Sequence, residues 1–313
     1  ILPSLLPLVT SSMLNLGTSS LYFGWGFADF LQNPIPVGPV SLQPTDLGNL
    51  LFVLAIGIVM FFRFTRVSRE QARVAAELAA ARAIQERLVP AQLPPVAGYA
   101  IEAAYFPAEE VGGDFYQVLE GSGDTTLLVV GDVSGKGLKA AMTGTLTLGA
   151  LRALASQGLE PATMLMRLNR QLIETSDEGF VTCLCARIFR DGEVRLANAG
   201  HIVPYHNGEE VPLPPGLPLG IVAETVYEER AFYLRPGDRL TLLSDGVVEA
   251  QNARGELFGF ERTQALSGQA AQAIADTARR FGQADDITVM TLLRMRDEEI
   301  RTELEGAGAR IHA

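Results

Sequence analysis

With 313 residues, 48% of them hydrophobic and 19% charged, the chain has room for two modest domains or one large domain with an appendage. Its net charge of −11 and pI near 4.9 leave no basic stripe to neutralise a phosphate backbone, which argues against nucleic acid as a partner. The cysteine complement is two, Cys183 and Cys185, which share one strand face in FVTCLCARI; they read as small buried hydrophobes of a reducing compartment rather than a disulfide.

Taken in chain order, residues 1–28 and Leu47–Phe62 carry no charge, and Arg63, Arg66, Arg69 and Arg73 follow directly. A membrane-crossing helix needs roughly 17–25 apolar residues, so Leu47–Phe62 is short, but Arg63 extends it by snorkelling. A buried soluble helix or an interfacial one is the competing reading. The arginines predict that everything after Phe62 faces the cytoplasm. Residues 5–28 are a second candidate span, and QNPIPVGPVSLQPT between the two reads as an external loop punctuated by proline. No basic segment precedes the apolar stretch, against a signal peptide. Ile at position 1, in place of Met, points to a fragment of a longer chain.

Val67, Gln71, Val74, Leu78, Ala81, Gln85 and Leu88 follow heptad spacing, with glutamine at two core positions. The pattern predicts a weak coiled coil, or a single amphipathic helix, ended by Pro90, Pro94 and Pro95. The chain therefore divides into a membrane region (1–64), a helical linker (65–90), a catalytic domain (91–296) and a polar tail (297–313).

Within the third segment, carboxylates recur at strand ends. Asp114 follows the glycine pair in VGGDFY, and Asp132 follows the apolar run of LLVVGDVSGKGLKAA. Asp245 repeats that arrangement in RLTLLSDGVVEA, while Asp285-Asp286 directly precede the strand of QADDITVMTLL. Helices are expected at Leu138–Gln157 and Pro161–Thr175, the latter with proline in its first turn. The glycine cluster around Lys136 resembles a phosphate loop, but Gly131 to Gly135-Lys136 is one residue too short, and Gly137 stands where a hydroxyl is required. Gathered carboxylates repel one another unless a cation or shared protons intervene. Lys136 and Lys139 are the only lysines, and His201, His206 and His312 lack zinc-site spacing. Oxygen donors of this kind suit Mg²⁺ or Mn²⁺. Asp132, rather than Lys136, is the expected catalytic residue, with Lys136 either at substrate phosphate or merely exposed beside the site.

The ordered set FPAEEVGGDFY, GDVSGKGLKAA, LANAGHIVPY, PPGLPLGI, LLSDGVVEA and QADDITV resembles the PPM-type serine/threonine protein phosphatases, specifically their bacterial SpoIIE/RsbU-like branch, over about Gln85–Leu293. The resemblance implies an α+β fold: a β-sandwich of two antiparallel sheets flanked by helices, with two Mn²⁺ or Mg²⁺ ions at one end. It implies Asp132 as the bridging ligand, the Val133 carbonyl and Asp114 as further ligands, and Asp245 and Asp285 on the second ion. Asp286 is an additional candidate. The activity implied is hydrolysis of phosphoserine or phosphothreonine by a metal-bridging water, on a phosphorylated STAS-type regulator of an anti-sigma factor; the apolar segments and the heptads add the expectation of a homodimer on the bacterial cytoplasmic membrane.

Alone, NAGH reads as a turn with a hydrogen-bonded histidine. The stretch after FGFER is short for the family, which puts one peripheral helix in question. Two other readings compete with the phosphatase reading. Gly112-Gly113-Asp114 is similar to the opening of the diguanylate cyclase signature, but Phe115-Tyr116 departs from it. A phosphoprotein-binding module lacking catalysis would not require four carboxylate positions.

Overall fold

The apolar runs before Asp132 and Asp245 are buried strands, and their ends converge. In the computed structural model, which describes residues 33–42, 44–90, 92–108, 112–135, 138–175, 179–296 and 298, the chain forms two compact units, Ile1–Val74 and Ala75–Ala313. The candidate span within residues 5–28, Lys136, and the tail with His312 lie outside the described residues.

In the first unit the expected external loop is partly a hairpin: β1 (Ile35–Val37) pairs antiparallel with β2 (Val40–Leu42). Gly38, at φ +63°, supplies the left-handed turn that a side chain would resist. Helix α1 (Pro44–Leu88) runs unbroken through the arginine cluster, so the apolar segment and the linker are one helix of 45 residues. Over Gly48–Glu77 it is long and apolar enough to cross a membrane, and none of its most apolar window is buried. Val67 and Val74, two of the heptad positions, are exposed. The helix stops at Leu88, just before Pro90 as the proline cluster required.

The second unit holds two five-stranded antiparallel sheets. One is ordered β10 (Glu229–Tyr233), β7 (Glu193–Ala199), β6 (Val181–Ile188), β5 (Thr126–Val133), β4 (Phe115–Glu120); the other β3 (Tyr99–Phe106), β12 (Ile287–Arg294), β11 (Arg239–Leu243), β8 (Tyr205–His206), β9 (Glu209–Glu210). Strand β5 shows why its sequence is continuously apolar: it is covered on both faces. Leu128 and Val130 pack with Leu184, Leu242, Met290 and Leu292 between the sheets. Leu127 and Val129 face the other way, with Cys183 and Cys185, onto α2 (Leu138–Ala155) and α3 (Pro161–Thr175) through Leu148, Leu151, Leu165 and Leu168. Each such fully buried leucine contributes about 1.5–3 kcal/mol of transfer free energy.

The cysteines are free and buried, their sulfurs 3.8 Å apart. Helix α2 ends two residues before the expected Gln157, whose N–H bonds back to the Leu154 carbonyl ahead of Gly158 at φ +68°. The short helix α4 (Asp245–Val248) follows β11. FGFER itself opens α5 (Gly259–Leu266), and the stretch in question after it holds one further helix, α6 (Ala271–Gly282). Helix α6 covers the outer face of the second sheet, with Ile274, Ala275 and Ala278 against Ile287 and Val289.

Candidate metal centre

Strand register brings the carboxylates together in pairs. Phe115 pairs with Gly131, which sets Asp114, just before β4, beside Asp132 near the end of β5. Leu243 pairs with Val289, which sets Asp245, at the start of α4, near Asp285, just before β12. The two pairs come from different sheets, and the sandwich closes them onto each other. Carboxylate oxygens of Asp114, Asp132 and Asp245 all lie within 4.8 Å of one another.

Gly113 explains how the backbone comes so close. A Cβ there would stand 2.6 Å from both Asp132 Oδ1 and the Val133 carbonyl oxygen. Those two oxygens therefore face the same space, and the Val133 N–H donates to the Gly113 carbonyl at 3.2 Å. Asp285 stands next to this group, its Oδ1 accepting the Asp286 N–H at 2.9 Å. The Asp286 carboxylate turns instead to backbone: Oδ1 accepts from Ala108 N–H at 2.8 Å, and Oδ2 from Gly113 N–H at 2.6 Å and Asp114 N–H at 3.4 Å.

The electrostatics record crowding. Burial, then the neighbouring Asp245, Asp285 and Asp286 charges, push Asp132 up to about 7. Asp114, only 2% exposed, is held well above the ordinary carboxylate range by burial and by Asp132, against a hydrogen bond from Thr288. Burial and Asp285 raise Asp245. Three oxygen-bearing side chains that resist ionisation together, with a carbonyl turned to the same space, form a donor set that fits a hard divalent cation.

Residues outside the expected set complete the support. The Thr288 hydroxyl donates to Asp114 Oδ2 at 2.6 Å, while its N–H donates to Ser244 Oγ at 3.0 Å. The Ser244 hydroxyl in turn donates to the Asp286 carbonyl at 3.2 Å. Both residues are buried in apolar runs, and a buried hydroxyl needing a partner was the available signal. His201 sits in a turn after β7 as expected: its N–H donates to Asn198 Oδ1 and Asn198 Nδ2 donates to its carbonyl, both at 2.8 Å. Its Nδ1 is hydrogen-bonded to the Thr182 hydroxyl at 2.8 Å, and burial lowers its pKa to about 4. A neutral, internally bonded histidine is structural here.

Residues 122–294, more than half of the chain, match the family model described as Stage II sporulation protein E (SpoIIE). The chain is similar to the phosphoserine phosphatase RsbU of Bacillus subtilis, 27% identical over 217 residues, a match covering 67% of this chain and 64% of that protein. Protein IcfG of Synechocystis is 26% identical over 263 residues, covering 70% of this chain and 41% of that one. The chain thus spans less than two thirds of the length of these relatives. Among solved structures, the SiaA-PP2C domain of Pseudomonas aeruginosa superposes with a TM-score of 0.60 at 25% identity, covering 72% of this chain and 99% of that one. The RsbU and RsbW domains of a Mycobacterium tuberculosis protein give 0.58 at 25% identity, covering 66% and 63%. The two antiparallel sheets flanked by helices are the PP2C fold.

Proposed function

The chain belongs to the SpoIIE family, and from that premise we propose that it is a metal-dependent phosphoserine/phosphothreonine protein phosphatase of bacterial signalling. The observation that carries this reading is the convergence of Asp114, Asp132 and Asp245 within 4.8 Å, from segments far apart in the chain. Asp132, with Asp114, the Val133 carbonyl, Asp245 and Asp285, would hold two Mn²⁺ or Mg²⁺ ions. When bound, such ions supply a water of lowered pKa and draw charge from phosphoryl oxygens.

The chain's own residues fix the geometry for that chemistry. Asp132, whose charge is opposed by Asp245, Asp285 and Asp286 and which also faces Asp114, is the carboxylate that would be shared between the ions. Thr288 holds Asp114 in one orientation. Gly113 removes the side chain that would otherwise fill the space. Strand and turn backbone carry these groups, so little reorganisation accompanies the reaction.

The substrate on this reading is a phosphorylated regulatory protein of the STAS type. On this reading the domains are 1–64, 65–90, 91–296 and 297–313, with the first limit falling inside the continuous helix α1. The exposed apolar helix Gly48–Glu77 and the arginines from Arg63 onward support anchoring in the cytoplasmic membrane, with the phosphatase domain inside the cell. The heptads support a homodimer joined through the linker. Turnover of an aryl phosphate and of a phosphoserine peptide by the purified chain, with Mn²⁺ and with chelator, tests the assignment. Metal-dependent release of phosphate is the expected result; binding of the phosphopeptide without release would make the chain a recognition module.

A further inference from the structure

The sequence makes Asp286 a candidate ligand, yet its carboxylate bonds to backbone N–H groups. Strand β3 ends at Phe106 in the second sheet, and β4 begins at Phe115 in the first, so the chain between them crosses the sandwich. Asp286 grips both ends of that crossing, with Ala108 N–H on Oδ1 and Gly113 N–H on Oδ2, at 2.8 and 2.6 Å. The Asp114 N–H adds a longer third bond at 3.4 Å. Charge-assisted bonds from backbone N–H groups to a buried carboxylate are among the stronger ones available. The fit around it is close: a Cβ at Gly112 would strike the Asp286 carboxylate, and a Cβ at Gly246 would strike its carbonyl. A neighbouring tie reinforces the same crossing, since Gln283 Nε2 donates to the Phe106 carbonyl at 2.8 Å and to the Asp285 carbonyl at 3.1 Å.

We propose that Asp286 is a positioning residue rather than a metal ligand: its carboxylate clasps the backbone on both sides of the β3–β4 crossing and so places Asp114. A carboxylate has about four lone-pair positions, and three are taken by amides, leaving little for a cation. Because Asp286 follows Asp285 directly, one dipeptide serves both halves of the centre: Asp285 stands beside Asp245, and Asp286 aims the loop that carries Asp114. The functional consequence rests on the phosphatase reading; the clasp itself does not.

The test separates the two. Hydrogen exchange is followed on the full chain without metal, and Mn²⁺ binding is measured by calorimetry, for wild type, Asp286→Ala, Asp286→Asn and Asp285→Asn. In Asp286→Ala the amides of Ala108, Gly113 and Asp114 should exchange about tenfold faster or more, with β5 and β6 unchanged. Its Mn²⁺ affinity should fall about 10–100-fold, the range for groups that orient ligands. Asp286→Asn keeps one acceptor oxygen and should recover part of both losses. Asp285→Asn should weaken Mn²⁺ with no change in exchange at Ala108 and Gly113. The proposal is overturned if Asp286→Ala loses Mn²⁺ affinity while those amides exchange as in wild type, which would make Asp286 a ligand. Uniformly faster exchange across both sheets, or faster local exchange with undiminished Mn²⁺ affinity, overturns it equally. Should Asp286→Ala not fold, Asp286→Asn carries the same comparison. A wild-type chain that binds no Mn²⁺ would defeat the phosphatase reading, while the exchange result would still judge the clasp.

Discussion

The Thr288 hydroxyl donates a 2.6 Å hydrogen bond to Asp114 Oδ2 across 174 positions of sequence, between a strand of one sheet and the loop that enters the other. Asp114 is buried, so an oxygen left without that donor would be free to rotate or to stay protonated. Thr288→Val keeps shape and volume but removes the donor. It should weaken Mn²⁺ binding about 10–100-fold, and Thr288→Ser should restore most of it. Calorimetric titration of the two variants distinguishes loss of the hydrogen bond from loss of packing; equal affinity in Thr288→Val and wild type would remove Thr288 from the centre's support.

The carboxylates were legible in the sequence because each signal is local: an apolar strand, a small residue, then an aspartate, or the reverse for Asp285. Their partners were not. Thr288 and Ser244 look like ordinary interruptions of apolar strands until β11 and β12 are placed side by side, and the register that does so joins Leu243 to Val289. The backbone bonds of Asp286 were likewise hidden, since its partners Ala108 and Gly113 lie over 170 residues away. The sheet order was equally non-local, since β3 pairs along its whole length with β12, the last strand. Short-range chemistry did reveal the end of α1 before Pro90 and the common face of Cys183 and Cys185. It missed the hairpin at Ile35–Leu42, where pairing overrides the presence of Pro36 in an edge strand.

Asp132 and Lys136 divide the metal reading from the phosphate-loop reading. Asp132→Asn should reduce turnover of an aryl phosphate to background, because the most central of the crowded carboxylates is lost. Asp245→Asn should raise the Mn²⁺ concentration needed for half-maximal rate. Lys136→Ala should retain substantial activity. A dead Lys136→Ala beside an active Asp132→Asn would reverse the assignment.

Gly113→Ala tests the close approach. Its Cβ would meet Asp132 Oδ1 and the Val133 carbonyl at 2.6 Å, nearer than real Cβ contacts come, and both atoms belong to the constrained end of β5. The backbone must shift to relieve the clash, so Mn²⁺ affinity should drop by about tenfold or more while the far ends of the sheets keep their exchange protection. Wild-type affinity in this variant would mean that the space beside Gly113 is not where the ion sits.

For topology, cysteines replacing Ser41 and Gln92 bracket the apolar helix Gly48–Glu77. With the native cysteines buried, a membrane-impermeant maleimide should label Ser41→Cys on intact cells and Gln92→Cys only after lysis. Equal labelling of both sites, or a chain that stays in solution without detergent, would remove the membrane assignment.

Proton linkage ties the crowding to the ion. Asp132 is pushed up to about 7 by burial and its acidic neighbours, so in the metal-free protein it is largely protonated below that pH. A cation binds the ionised form and must displace the proton. Mn²⁺ binding should therefore release protons at pH 6, and Asp132's share should vanish above pH 8, measurable as a dependence of calorimetric heat on buffer ionisation enthalpy. The stability consequence follows with a definite sign. A carboxyl whose folded pKa is raised favours the folded state most at low pH, and that contribution is lost as pH rises through about 7. Mn²⁺ offsets the repulsion it leaves, so the metal-induced rise in Tm should be larger at pH 8 than at pH 6. His201 works in the opposite direction: lowered to about 4 by burial, it costs stability as pH falls below its ordinary value. That cost is the same with and without metal, because His201 is a neutral structural group bonded to Thr182 and Asn198, and it cancels in the difference. Asp132→Asn should flatten the pH dependence of the Mn²⁺-induced shift; a shift that stays as steep in that variant would place the titrating proton on another carboxylate of the cluster.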